Sequence, residues 1–164
     1  MPDPQLENHA PNLPDQDISY AGLSVLIVDD QEFVRRIVTV MAEKIGFGTI
    51  ETCEDGEQAI NLLTDMKPDL IICDINMEPM DGLTFLSKVR QDFTGKVRAT
   101  PFIILTGEIS TALVTQASEL RCDCFLLKPV APQKLKERID EIHRARPQAR
   151  QSHAVVGRES DDAA

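Results

Sequence analysis

Five polar residues of this sequence have the chemistry to handle a phosphate group. Asp29, Asp30, Asp74 and Thr106 stand where short runs of Val, Ile and Leu end, and Lys128 stands between another apolar segment and a proline. An aspartate can attack phosphorus as a nucleophile and become an acyl phosphate. Carboxylate oxygens are ligands that Mg²⁺ prefers, and a lysine adds a mobile positive charge suited to a phosphoryl oxygen. These residue types indicate an acidic phosphate-handling site, if the fold brings them together.

The elements that must position these residues alternate regularly along the chain. Short apolar runs bounded by polar or turn residues predict strands that are buried on both faces, and apolar residues at helical spacing predict the helices between them. The predicted strands are 24–29, 48–53, 70–74, 102–106 and 123–127, and the predicted helices lie near 31–45, 57–66, 82–91, 110–120 and 131–145. This alternation predicts an α/β fold with a doubly wound parallel sheet, whose strands end at one ligand-binding edge.

Length and composition predict one folded domain with an extension at each end. The 164 residues are 42% hydrophobic, which suits a globular core. Residues 1–20 contain four acids, four prolines and no Lys or Arg, so we expect a flexible acidic arm. We expect the folded domain to span residues 21–145 and residues 146–164 to form a disordered tail.

Net charge and hydropathy argue against two kinds of binding partner, nucleic acids and membranes. The formal net charge of −10 argues against nucleic-acid binding, which would favour a basic surface. No apolar run approaches the roughly 20 residues needed to span a bilayer, and the polar start of the chain does not resemble a secretory signal. We therefore expect a cytoplasmic protein without membrane insertion. The four cysteines lack zinc-knuckle spacing and are expected to be reduced, mostly buried small side chains.

Taken in order, these motifs resemble a known family. The acidic pair Asp29-Asp30, the lone Asp74 that follows Asp30 by 44 residues, Thr106 and the dipeptide Lys128-Pro129 are similar to the motifs of bacterial response-regulator receiver domains, of the single-domain CheY-like type. The resemblance covers about residues 23–145. It implies a flavodoxin-like fold with helices on both faces and strand order 2-1-3-4-5. Each motif alone has an ordinary explanation, such as a helix cap, but their joint occurrence favours the family.

The resemblance and the residue chemistry agree on a metal-assisted phospho-acceptor site. Asp74 is the predicted acceptor, and Asp30 and Asp74 are the predicted carboxylate ligands of Mg²⁺. The main-chain carbonyl of Asn76 is expected to supply another oxygen, and Asp29 to act mainly through a metal-bound water. Phosphoryl transfer depends on positioning and charge neutralisation more than on covalent help, so this short set suffices.

Other residues are assigned to stabilisation, switching and signal lifetime. Lys128 and Thr106 are expected to contact the phosphoryl group, and the resemblance implies a cis Lys128–Pro129 bond that aims the lysine inward. It also implies that Phe125 rotates into space that Thr106 vacates, although Phe125 equally fits plain core packing. Asn76 and Glu108 match the positions that tune dephosphorylation, and this pair predicts a short-lived phosphorylated form.

One loop departs from the family pattern. Many receiver domains place a proline directly after the residue that matches Met77, whereas here Glu78 intervenes before Pro79. The spacing from Asp74 to Gly82 is unchanged, so we expect the site to survive. The loop adds a carboxylate close to the predicted metal.

The predicted function is that of a stand-alone response regulator in a two-component phosphorelay, not an enzyme apart from self-dephosphorylation. It would take phosphate from a sensor histidine kinase or a histidine phosphotransfer protein. It would then bind a downstream protein through helix 110–120, strand 123–127 and helix 131–145. We expect a monomer or a weak dimer.

Three alternatives remain open at this stage. The protein could pass phosphate onward to a histidine phosphotransfer protein. It could bind a cyclic dinucleotide through Arg146 and Arg150, since some CheY-like proteins use arginine-rich C-terminal segments in this way, although a solvated tail explains these arginines more simply. A phosphatase of the haloacid dehalogenase type also uses an aspartate nucleophile with Mg²⁺. That family requires a second acid where this chain has Asn76, which counts against it.

Overall fold

A five-stranded parallel sheet forms the centre of the computed structural model, which describes residues 18–146. The strands are β1 (Ser24–Val28), β2 (Thr49–Cys53), β3 (Leu70–Asp74), β4 (Phe102–Thr106) and β5 (Cys124–Leu127). Their order across the sheet is β2-β1-β3-β4-β5, and every neighbouring pair is parallel. The predicted fold class and strand order are therefore confirmed, with strand ends shifted by at most one residue.

Six helices connect and cover the strands in the described part of the chain. They are α1 (Glu32–Ile45), α2 (Gly56–Met66), α3 (Gly82–Asp92), α4 (Gly95–Arg98), α5 (Thr111–Glu119) and α6 (Pro132–Ala145). Several ends follow local capping rules. The Asp55 and Asp81 carboxylates accept hydrogen bonds from the first turns of α2 and α3, and Gly46 closes α1 with a φ of 106°. The four-residue helix α4 is not predicted from the sequence.

Two hydrophobic layers lie on opposite faces of the sheet. On one face, Leu26 and Ile71 pack with side chains of α2 and α3, and on the other, Val25 and Ile72 pack with side chains of α1 and α6. Successive residues of a strand point to opposite faces, so a continuous apolar run supplies both layers. This explains why β3 and β4 are buried along their whole length.

The folded part extends beyond the predicted domain limits at both ends. Tyr20, which the sequence reading assigned to the arm, is buried, and its hydroxyl donates to the Asp140 carboxylate at 2.6 Å. Arg146, assigned to the tail, donates to the carbonyl of Ala99 and to the Asp123 carboxylate. The rest of the predicted arm and tail lies outside the described residues.

All four cysteines are free. Cys53 and Cys73 are buried, as expected for small core side chains, and Cys122 and Cys124 are half-buried. Burial raises the pKa of the Cys53 and Cys122 thiols to about 12, so neither is a reactive thiolate at neutral pH. No helix within residues 18–146 is both long and apolar enough to cross a membrane.

Candidate phospho-acceptor site

Three carboxylates converge at the carboxyl edge of the sheet. Asp29 and Asp30 follow β1, Asp74 ends β3, and one side-chain oxygen from each lies within 4.8 Å of the others. Asp29 is 1% exposed and Asp74 is 4% exposed, whereas Asp30 is exposed to solvent. Hard carboxylate oxygens at this spacing fit Mg²⁺, which usually binds one or two protein carboxylates and keeps several waters. The donor set therefore suits the predicted metal.

The backbone after β1 fixes the position of Asp29. The Asp29 carboxylate accepts a hydrogen bond from the Gln31 N–H at 2.9 Å. The Arg35 guanidinium donates to the Asp29 carbonyl at 2.7 Å and lies 3.8 Å from the Glu54 carboxylate. Arg35 is not among the residues predicted from the sequence. The available signal was an arginine in the second turn of the helix that directly follows the acidic pair.

Asp74 lies in a crowded position with an electrostatic conflict. A Cβ atom on Gly82 would lie 2.4 Å from the Asp74 carbonyl oxygen, so only glycine lets the loop approach β3 this closely. Burial raises the pKa of the Asp74 carboxyl, and the nearby charge of Asp29 raises it further. Hydrogen bonds from Lys128 and from the Asn76 N–H oppose this rise. A bound cation would further favour the ionised, nucleophilic form.

Lys128 lies between two of the acids. Its Nζ atom is 3.1 Å from Asp29 Oδ2 and 3.1 Å from Asp74 Oδ1. The Lys128–Pro129 bond is cis, as the resemblance implied, and the Lys128 N–H donates to the Thr106 carbonyl at 2.8 Å. Burial alone would lower the pKa of Lys128, but its bonds to the two carboxylates outweigh burial and raise it. Lys128 is therefore a charged group at neutral pH.

Thr106 is buried at the end of β4, but its hydroxyl does not point to a carboxylate. It donates to the Glu108 carbonyl at 2.8 Å and accepts from the Glu108 N–H at 3.2 Å. Gly107 beside it is exposed, and no atom lies within 4 Å of where its Cβ would be. Phe125 is half-buried against the core layer that contains α2 and α3. Contact of Thr106 with a phosphoryl group thus requires its hydroxyl to leave Glu108.

The other predicted residues fall into two groups. Some are exposed residues near the three carboxylates, and one lies far from them. The side chains of Asn76, Glu108 and Glu78 are exposed, and the Glu78–Pro79 bond is cis, which the sequence reading did not anticipate. Arg146 lies at the opposite end of the molecule, paired with Asp123 at 2.7 Å. Arg150 lies outside the described residues.

Comparison with known proteins identifies the family. The sequence profile described as "Response regulator receiver domain" matches residues 25–140. The chain belongs to this family. It is 38% identical over 120 residues to "Probable chemotaxis protein CheY" of Rhizobium etli, an alignment covering 73% of this chain and 92% of that protein. It is 29% identical to "Chemotaxis protein CheY-3" of Vibrio cholerae, covering 74% and 92% respectively.

Solved structures agree with this assignment. The structure of "chemotaxis protein CheY4" of Vibrio cholerae superposes with a TM-score of 0.68 at 29% identity, covering 73% of this chain and 97% of that one. The chain is therefore a response-regulator receiver domain of the CheY type, a kind of module that works in two-component signalling. Such domains are in general signalling proteins and bind Mg²⁺ in an acidic pocket.

Proposed function

We propose that this receiver accepts a phosphoryl group on Asp74 from a phosphohistidine. The donor is a sensor histidine kinase or a histidine phosphotransfer protein, since both present the same chemical group. The observation that carries the proposal is the position of Lys128, 3.1 Å from both Asp29 and Asp74, within an acidic cluster at one edge of the sheet. A nucleophile, a carboxylate set suited to a metal ion and a mobile cation are thus adjacent, as phosphoryl transfer requires.

The transfer exchanges one bond to phosphorus for another. An Asp74 carboxylate oxygen attacks the phosphorus, an O–P bond forms, and the P–N bond to the histidine breaks with its electron pair remaining on the ring nitrogen. Asp30, Asp74 and the Asn76 carbonyl would hold Mg²⁺, with Asp29 acting through a bound water. The ion, when bound, neutralises charge on the phosphoryl oxygens.

The side chains around the acceptor then have distinct roles. The Lys128 ammonium leaves its bridge between Asp29 and Asp74 and binds a phosphoryl oxygen. The Thr106 hydroxyl exchanges the Glu108 carbonyl for the phosphoryl group. Phe125 lies half-buried on the neighbouring strand and would rotate into the space that Thr106 vacates. The output surface would comprise α5, β5 and α6, where a downstream protein binds.

The lifetime of the phosphorylated form depends on two exposed residues near Asp74. Asn76 and Glu108 are both exposed near the acceptor, so water can reach the acyl phosphate between them. We therefore expect self-dephosphorylation within minutes. Onward transfer to a histidine phosphotransfer protein would instead require a longer-lived acyl phosphate.

Intact-protein mass spectrometry with acetyl phosphate and Mg²⁺ tests the proposal. Wild type should gain one phosphoryl group and lose it within minutes after the donor is removed, and Asp74→Asn should gain none. Asp65→Asn is the matched control, because Asp65 is an exposed acid on α2 away from the cluster, and it should behave like wild type. Labelling of Asp74→Asn, or no labelling of wild type, would contradict the proposal. A stable adduct would contradict the assigned roles of Asn76 and Glu108.

A further inference from the structure

A second concave site lies at the opposite edge of the sheet from Asp74. It is a cavity of about 800 Å³. Its lining includes Leu23 just before β1, Leu70 at the start of β3 and Pro101 just before β4. These are the amino ends of the strands, whereas Asp74 ends its strand. The cavity is therefore separate from the phospho-acceptor site and plays no part in the function proposed above.

The floor of this cavity is apolar and packed. Tyr20, Phe47, Leu70 and Ile139 line it, and all four are buried. The Tyr20 ring lies 5.0 Å from the Phe47 ring and 5.4 Å from the ring of His143, so aromatic surface forms one wall. Concave, mainly apolar sites of roughly 300–1,000 Å³ with a few polar groups are typical of small-molecule binding sites.

Two cations lie at the mouth of the cavity, and each is paired with an acid. Among the described lining residues, Lys96 and Arg146 are the cations and Asp69 is the one acid, while the acid that pairs with Arg146 lies just outside the lining. Lys96 lies 2.8 Å from Asp69, and its side chain is 41% exposed. Arg146 contacts Asp123 at 2.7 Å. Both cationic groups reach solvent at the rim while their neighbours deeper in the cavity are apolar.

We propose that this cavity binds a small organic anion with an apolar body, such as a single-chain or aryl carboxylate. The apolar part would contact Tyr20, Leu70 and Ile139. The carboxylate would lie at the mouth, where the Lys96 ammonium can bind it in addition to Asp69. An apolar floor with a cationic mouth distinguishes such an anion from a neutral molecule of the same shape, which would gain the apolar contacts alone.

A single tryptophan reporter makes binding measurable in the full chain. The sequence contains no Trp, and Gly22 lines the cavity with no atom within 4 Å of where its Cβ would lie. Gly22→Trp should therefore fold normally and place the only indole of the chain at the rim. Titration with octanoate should change its fluorescence in a saturable way. Octan-1-ol, the uncharged equivalent, should bind at least tenfold more weakly.

A pair of matched lysine variants then tests the charged mouth. Lys96→Gln in the reporter background should weaken octanoate binding at least fivefold and leave octan-1-ol binding unchanged. Lys88→Gln is the control, because Lys88 is 42% exposed and is also paired with an aspartate, but lies outside the cavity lining. It should bind octanoate like the parent. Equal affinity for octanoate and octan-1-ol, or equal weakening by both variants, would overturn the proposal.

Nuclear magnetic resonance on the unmodified chain provides an independent measurement. Octanoate should shift the amide signals of Tyr20, Leu70 and Ile139 and leave that of Asp74 in place. Absence of saturable shifts, or shifts confined to the acidic cluster, would overturn the proposal even if the reporter responded. The acetyl phosphate assay is unaffected by either result, so failure here is distinguishable from failure of the phospho-acceptor proposal.

Discussion

Two cations, buried Arg90 and half-buried Lys128, lie at opposite edges of the sheet, and their surroundings differ. Arg90, 8% exposed near the end of α3, donates to the carbonyls of Leu120, Arg98, Thr100 and Arg121, and lies 3.8 Å from the Asp123 carboxylate. Its planar guanidinium fork therefore makes four hydrogen bonds to the backbone of two segments, 98–100 and 120–121. Lys128 has two carboxylate partners, each at 3.1 Å, on a flexible stem.

The difference separates a structural cation from a functional one. Four carbonyls hold Arg90 in place, and any movement would leave buried oxygens without a donor. In the function proposed above, Lys128 exchanges its carboxylate partners for a phosphoryl oxygen, and a bound metal ion would then compensate the charges of Asp29 and Asp74. The contacts of Arg90 thus hold it in place, while Lys128 keeps its charge available for a ligand.

The largest expected effect follows from removing the structural cation. Arg90→Met should lower the free energy of unfolding by about 3–5 kcal/mol, because it leaves four carbonyls in buried or half-buried positions without their donor. Urea denaturation measures this loss. Lys88→Met, an exposed position on the same helix, should change the free energy by less than about 0.5 kcal/mol. A loss below about 1 kcal/mol for Arg90→Met would remove the contrast between the two cations.

Removing the functional cation should affect transfer instead of stability. Lys128→Met should slow phosphoryl transfer from acetyl phosphate about 10²- to 10³-fold, the effect typical of losing one group that stabilises developing charge. In the presence of Mg²⁺ its free energy of unfolding should change by less than about 1 kcal/mol. Rapid-quench labelling and urea denaturation of the same preparation check both values. A large loss of unfolding free energy with normal phosphoryl labelling would mean that Lys128 has a structural role instead of a functional one.

Close packing beneath the acceptor gives a third expected effect. Gly82→Ala places a methyl group 2.4 Å from the Asp74 carbonyl, so the loop or the strand must shift. Overpacking of this kind costs about 1–3 kcal/mol, and labelling should fall because Asp74 moves with its backbone. Gly22→Ala is the control, since its Cβ would meet no atom within 4 Å, and it should retain wild-type stability. Equal free energies of unfolding for Gly82→Ala and Gly22→Ala would show that the loop after β3 shifts at little energetic cost.

The smallest expected effect on stability concerns the charge of Asp140 on α6. Burial alone would raise the pKa of Asp140, but hydrogen bonds from Lys136 and Tyr20 outweigh burial and lower it. A folded pKa below the unfolded value near 4 means that this stabilisation is present above about pH 4 and is lost as the pH falls through the lowered pKa.

Asp140→Asn should therefore cost about 1.5 kcal/mol at pH 7, a difference that shrinks as the pH falls below about 4 and through the lowered pKa of Asp140. Thermal or urea unfolding of both proteins across this pH range provides the measurement. A stability gap that stays constant or grows toward low pH would contradict the lowered pKa.

Most of the fold could be predicted because its signals are local. Uninterrupted apolar runs marked β3 and β4, since strands buried on both faces need apolar residues at every position. Turn and capping residues such as Gly46, Asp55 and Asp81 lie where helices begin or end. Helix α4 was missed because four residues are too few to show a helical period. Tyr20 was misplaced because its partners, Phe47 and Asp140, lie far away in the sequence.

For the site, the sequence determined which chemical groups are present and at which edge they lie, because parallel strands all end on the same side. Tertiary structure alone decided the pairings. The Lys128 bridge to Asp29 spans 99 positions and joins residues that follow β5 and β1. The cavity between Tyr20, Leu70 and Ile139 likewise has no local signature. Such contacts depend on how distant segments pack, and no pattern within one segment encodes them.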